Sequence, residues 1–237
     1  HIFCKMKIGI MQPYFMPYIG YFQLIDSVDI FVIYDNIQYT KKGWINRNRF
    51  IQNKDAQTLT IPLKKDSDYL NISERKIADS FDRGKLCNQL MNSYRKAPYF
   101  DDVYPLICRL INNDEGNLFK YISESLNNVC KYLYMDFSKI ITSSTIKIDH
   151  SLKSEEKVLA ICNSLLATEY INPIGGIDLY SKSRFASQNI DLKFLKPRVA
   201  SYNQFGNEFL PNLSIIDVMM FNSQETVQEM LNQYQLL

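Results

Sequence analysis

Histidine is nearly absent: the 237 residues hold two, His1 and His150. Counting alone excludes a histidine-rich metal centre, a binuclear site or a motif built on paired catalytic histidines, and no metal or cofactor is expected. The five cysteines, Cys4, Cys87, Cys108, Cys130 and Cys162, are odd in number and scattered, with no C-x-x-C pair. Cys108, Cys130 and Cys162 fall in helical apolar patterns, where a free cysteine behaves as a small buried hydrophobe. Neither sign of charge is in excess, with 27 Lys and Arg against 25 Asp and Glu and a formal net charge of +2. That balance lacks the footprint of a general nucleic-acid binder, so no nucleic-acid partner is expected. No apolar run approaches the roughly 18–20 residues needed to span a bilayer, so no membrane insertion is expected. The opening HIFCKMKIGIMQPYF has no small-residue cleavage site and runs straight into a strand, which fits a cytoplasmic protein.

Aromatic residues are what the chain does have: sixteen Tyr and fourteen Phe, but a single Trp, Trp44. Several tyrosines crowd into the first forty positions. The apolar run Lys7–Met11 predicts a buried strand, and Gly20–Asp26 a helix. Asp29–Tyr34 (DIFVIY) is strongly β-type, so the opening reads as a βαβ unit with parallel strands. Asp35–Arg49 is long, polar and basic and reads as a loop, followed by a strand at Thr58–Leu63. From about 79 to 133 the apolar spacing turns helical, over Lys85–Lys96, Asp102–Ile111 and Gly116–Tyr132. Alternation then returns. Strands are expected at Lys139–Thr142, Glu169–Asn172 and Asp191–Leu195, and helices at Ser154–Leu166 (capped by Ser154), Ser181–Gln188, Ser214–Phe221 and Glu225–Tyr234. The expected architecture is a Rossmann-like α/β fold with a mostly parallel sheet and a helical insertion at about 79–133. A single α/β domain is expected over 6–237, with 1–5 as an upstream extension.

Ligands of open parallel sheets bind where the strands end, and three stretches there are too polar or glycine-rich for packing alone. The first is Gln12–Tyr21, QPYFMPYIGY. Two prolines stiffen it, Gly20 permits close backbone approach at a helix N-terminus, and Tyr14, Tyr18 and Tyr21 offer rings and hydroxyls. Its P-Y-I-G-Y spacing resembles the P-x-H-x-G-H loop of nucleotidyltransferase-type domains, with Tyr18 and Tyr21 where those carry histidines. The second stretch is the basic loop. Lys41, Lys42, Arg47 and Arg49 are candidate phosphate clamps around Trp44, a stacking surface for a base or sugar. Asp35 is a candidate general base at the end of a strand, and Asn46 a candidate oxyanion donor. The third is the double glycine of Asn172–Gly176, where Gly175 and Gly176 would allow close ligand approach. His150, in a loop before a helix, is a second candidate base. Asp217 lies inside an apolar helical run, where a carboxylate is costly unless paired; a cation from the basic loop is the expected partner.

Four blocks, MKIGIMQPYFMPYIGYFQLID, DNIQYTKKGWINRNRF, YINPIGG and YNQFGNEFLPNLSIIDVMMFN, together resemble the WbqC-like family over nearly the whole chain. Gln12, Tyr14, Tyr18, Asp35, Trp44, Asn46, Arg47 and Gly175 match its blocks. The resemblance implies a role in bacterial O-antigen, hence lipopolysaccharide, or other surface-polysaccharide synthesis. It implies acyl or aminoacyl transfer to the amine of a nucleotide-linked amino-deoxy sugar, with an acyl or peptidyl carrier protein as a candidate donor and a homodimer as a candidate assembly. Two alternatives stand beside it: a nucleotidyltransferase-like enzyme that activates a carboxylate with a nucleotide and Mg²⁺, and a non-catalytic module that binds a nucleotide sugar or a carrier protein.

Overall fold

The order of elements follows the alternation in the sequence. In the computed structural model, which describes residues 4–237, the chain runs β1 (Lys7–Met11), α1 (Ile19–Ser27), β2 (Ile30–Ile33), β3 (Arg47–Gln52) and β4 (Asp55–Thr60). The helices α2 (Arg83–Tyr94), α3 (Phe100–Ile111) and α4 (Leu118–Tyr132) come next. They are followed by β5 (Ile140–Thr142), α5 (Ser154–Ser164), β6 (Glu169–Pro173), α6 (Lys182–Ala186) and β7 (Asp191–Pro197). The last elements are α7 (Ile215–Phe221), α8 (Gln224–Met230) and β8 (Tyr234–Leu236). His1 lies outside the described residues.

The main sheet has the order β5-β2-β1-β6-β7-β8, and every pair is parallel except β7 with β8. Taken in chain order, its strands lie third, second, first, fourth, fifth, sixth across the sheet, the doubly wound Rossmann arrangement. Period-two alternation divides the strands between two cores. Phe31, Ile33, Ile171 and Leu195 pack with Phe22 and Ile25 of α1 and with the helices of the insertion. Ile8, Ile10, Val32, Tyr170 and Phe194 pack on the other face, against Leu159 and Cys162 of α5 and Phe185 of α6. β1 runs close under α1: a Cβ on Gly9 would stand in van der Waals contact, 3.4 Å, with Leu24 of α1 and with Val28 just after it.

The structure departs from the sequence reading at several elements. The last residues of the expected loop, Arg47 to Arg49, open β3, which pairs antiparallel with β4. Their polarity hides a strand alternation in which Asn48 and Phe50 are buried. The region between β2 and β5 therefore carries a hairpin as well as α2–α4. Ser154 does not cap α5: Lys153 occupies that position, and Ser154 stands at φ 53° inside the first turn. The helix expected to end at Tyr234 stops at Met230, and the tail pairs with β7, with Leu236 opposite Leu195. No helix among the described residues is long and apolar enough to cross a membrane.

Candidate functional site

β1 has β2 on one side and β6 on the other, and the chain leaves β2 and β6 in opposite directions across the sheet. The crevice at their carboxyl ends is the topological switch point, the usual ligand position in such sheets. Gln12–Tyr18 runs across it, and its backbone is held at successive residues. Phe15 N–H donates to Ile45 O (3.0 Å), Asn48 Nδ2 to Phe15 O (3.3 Å), Ser214 Oγ to Met16 O (2.6 Å) and Ile215 N–H to Pro17 O (2.8 Å). These bonds keep Met16 at φ 44°, a left-handed conformation that costs a non-glycine residue about 1–2 kcal/mol.

The P-Y-I-G-Y spacing has a steric cause. A Cβ on Gly20 would lie 2.3 Å from Tyr18 Cζ, so the Tyr18 ring lies directly over the glycine backbone. Helix α1 starts there with no side-chain cap and no acidic residue in its first turn, and Tyr21 N–H donates back to Tyr18 O at 3.1 Å. Tyr21 is turned inward and buried, its hydroxyl donating to Gln12 O at 2.8 Å. It lines an apolar chamber of about 150 Å³ beneath Tyr14 and Tyr18. Burial raises the Tyr14, Tyr18 and Tyr21 hydroxyls above the ordinary tyrosine range, so all three are neutral donors.

Above that chamber opens a cleft of about 440 Å³. Tyr14 and Tyr18 come from β1's loop, Trp44 and Arg49 from the basic segment, Lys196 from the end of β7 and Asn212 from the segment before α7. Both Arg47 and Arg49 stack on Trp44, at 4.9 and 5.3 Å from the ring. Arg49 and Lys196 are the cations of the lining, and no carboxylate is among the lining residues. Arg49 Nε is buried with no hydrogen-bond partner among the described residues. An orphaned guanidinium N–H beside an unopposed lysine and an exposed indole suits a diphosphate carrying a flat ring.

Other expected binders do not line this cleft. Arg47 donates from Nε to Gly43 O (2.8 Å) and from an Nη to Lys42 O (2.9 Å), so it shapes the loop that presents Trp44. Lys41 pairs with Asp68 at 3.0 Å in solvent, and Lys42 is exposed. Gln12 lies under the same loop, its Oε1 3.9 Å from a Cβ placed on Gly43. Asn46 spends both polar atoms internally, accepting from Tyr39 Oη (2.7 Å) and donating to Ile61 O (2.8 Å). A Cβ on Gly176 would strike Asn172 Oδ1 at 2.0 Å, whereas Gly175 faces open space beside Ile174, a cleft residue.

Asp35 and His150 belong to a separate network at the ends of β2 and β5. Asp35 accepts from Ser143 Oγ (2.9 Å), Ser144 N–H (3.0 Å) and Ser144 Oγ (2.6 Å). Ser143 Oγ lies 2.7 Å from Asn36 Oδ1, which also accepts from Lys157 Nζ at 3.3 Å. Lys157 is buried against the Tyr34 ring, and burial lowers its pKa from the ordinary lysine value while Asp35 opposes the shift. His150 Nε2 faces Ile146 O at 2.9 Å and must carry the proton; Nδ1 then accepts from Asn36 Nδ2 at 2.9 Å. Both ring nitrogens of His150 are thus engaged within this network.

The chain matches the WbqC-like protein family over residues 12–229. It belongs to that family. It is also similar to Rv1507c, an uncharacterized protein of Mycobacterium tuberculosis, with 28% identity over 221 residues that cover 91% of this chain and 93% of the relative. No solved structure matches it.

In this WbqC-like protein, Lys196 and Asn212 line the cleft although the sequence did not single them out for it, beside Asn48 of the basic segment. The signal for Lys196 is its place at the carboxyl end of a parallel strand, while Asn212 arrives from a distant segment, within the fourth block of the family resemblance. Asp217 corrects an expectation. Its buried carboxylate accepts from Tyr94 Oη (2.8 Å), Tyr202 Oη (2.6 Å) and Gln204 Nε2 (2.8 Å), with no cation among its hydrogen-bond partners. Neutral donors satisfy it where the basic loop, turned toward Trp44, does not. Desolvation raises its pKa, against the lowering effect of the same three donors.

Proposed function

We propose that this WbqC-like protein binds a nucleotide-linked amino sugar in the switch-point cleft and transfers an acyl or aminoacyl group to the sugar amine. The observation that carries the reading is the orphaned Arg49 Nε in an aromatic lining that has cations and no carboxylate. The diphosphate would meet Arg49 and Lys196, and the base or sugar would stack on Trp44. Direct attack of the amine fits the buried cysteines: burial pushes the Cys87, Cys130 and Cys162 thiols up to about 12, so none of these three offers a thiolate for a covalent intermediate. Asp35 and its serine donors lie outside the lining of this cleft, so the proton of the attacking amine is proposed to leave to solvent. The proposed setting is surface-polysaccharide synthesis in the cytoplasm. A carrier protein is the proposed acyl donor.

Trp44, the single tryptophan, reports on this cleft directly. Its fluorescence should be quenched by dTDP or UDP. Arg49→Gln should weaken that binding about tenfold or more, the loss of a charge-assisted hydrogen bond. Mass spectrometry should then detect an amide when a dTDP-amino sugar is mixed with acyl donors. Absence of both quenching and amide sinks the reading, while quenching without turnover leaves a nucleotide-sugar binding module. The Rossmann strand order favours carboxylate activation as a second reading, for which acid-dependent pyrophosphate release is the distinguishing product.

A further inference from the structure

A second pocket, of about 420 Å³, lies at the other end of β3, three residues and about 10 Å along the strand from Arg49. Three segments wall it: the β3–β4 turn with Lys54, the end of α2 with Ser93, Arg95 and Lys96, and the chain before α7 with Phe205. One buried carboxylate ties these walls together. Tyr94 Oη, on α2, accepts from Ile51 N–H of β3 at 3.1 Å and donates to Asp217. Gln204, next to Phe205, donates to the same Asp217. The pocket is thus a braced feature of the fold.

Its chemistry is one-sided. Lys54, Arg95 and Lys96 form no ion pair among the described residues, and no carboxylate lines the pocket. The Ser93 hydroxyl is shut off from solvent without a partner. The dipole of α2 accounts for cations next to its carboxyl end but not for Lys54, which arrives from the hairpin. Asn53 and Lys54 stand at φ 50° and 71°, the two-residue turn in which glycine is favoured at the second position. A lysine therefore stands where the backbone prefers glycine. Phe205, also left-handed at φ 58°, is 41% exposed at the rim, its back against Phe221 with ring centroids 4.7 Å apart.

We propose that this pocket is a second ligand site that takes a phosphate monoester carrying a flat ring, of the adenosine-phosphate class. The phosphate sits on Lys54, Arg95 and Lys96, and the ring stacks on Phe205. The site is independent of the reading of the switch-point cleft, and its test separates the two. Adenosine 5′-monophosphate and inorganic phosphate are titrated in turn into the full chain carrying Arg49→Gln, followed by backbone amide NMR. Saturable shifts are expected at Gln52–Lys54 and Asn92–Lys96. Lys54→Gly, which suits the turn and should keep or raise Tm, is expected to weaken both probes about tenfold. Phe205→Ala should weaken the monophosphate several-fold and leave phosphate unchanged. Shifts that fail to saturate, or a Lys54→Gly variant that binds as the parent does, overturn the site. Equal affinity for the two probes overturns the ring-stacking half of the proposal.

Discussion

Asp217 is the residue whose environment departs furthest from its chemistry in water. It is fully buried in α7, satisfied by two phenols and an amide, and desolvation raises its pKa above the ordinary 3.8. The folded state therefore holds its proton more tightly than the unfolded chain does. Its contribution to stability is complete below 3.8 and is lost as pH rises through the raised folded value. As pH rises above 3.8 the wild type should lose stability relative to Asp217→Asn, whose amide does not titrate. Urea denaturation at several pH values measures this gap, and a constant gap would count against the assignment. The cost of a carboxylate at this position was legible in the sequence. Its donors were not, because Tyr94 is 123 residues away and nothing local marks it.

At the scale of elements, the loop after β1 and the start of α7 form one unit. Ser214 caps α7 by accepting from Ile216 N–H at 3.1 Å and donates to Met16 O at 2.6 Å, inside a fully buried position. Ser214→Ala removes a helix cap and orphans a carbonyl that holds a left-handed residue, at an expected cost of about 2 kcal/mol. The urea midpoint should fall accordingly, and quenching of Trp44 by nucleotide should weaken as Tyr14 and Tyr18 loosen. An unchanged midpoint would show that the loop holds its shape without this bond. The strands and helices here were readable where burial is uninterrupted, as in β1 and β2, or follows the helical period, as in α4. They were misread where function or pairing interrupts it. Arg47–Arg49 looks like loop because its buried side chain, Asn48, is polar, and Tyr234 looks like a helix end because its β partner, Pro197, is remote in sequence.

For the whole molecule, the free cysteines give a test of the two-core arrangement. Cys162 is buried between the sheet and α5, Cys130 in the α1-side core, and Cys87 on α2. These three should resist a thiol reagent in the native protein and react on unfolding, whereas exposed Cys4 should react at once. Prompt native labelling of Cys130 or Cys162 would mean that the layers are not packed as described. The sequence by itself determined the layered α/β architecture, because strand and helix periods are local consequences of which face is buried. It also marked Gln12–Tyr21 and the basic segment as unsuited to packing alone. Only the tertiary structure decided which of their side chains meet. It gathered Tyr14, Tyr18, Trp44 and Arg49 with Lys196 and Asn212, and set Asp35 and His150 in a network of their own. The reason is physical: strand order and long-range hydrogen bonds fix that choice, and neither leaves a periodic trace along the chain.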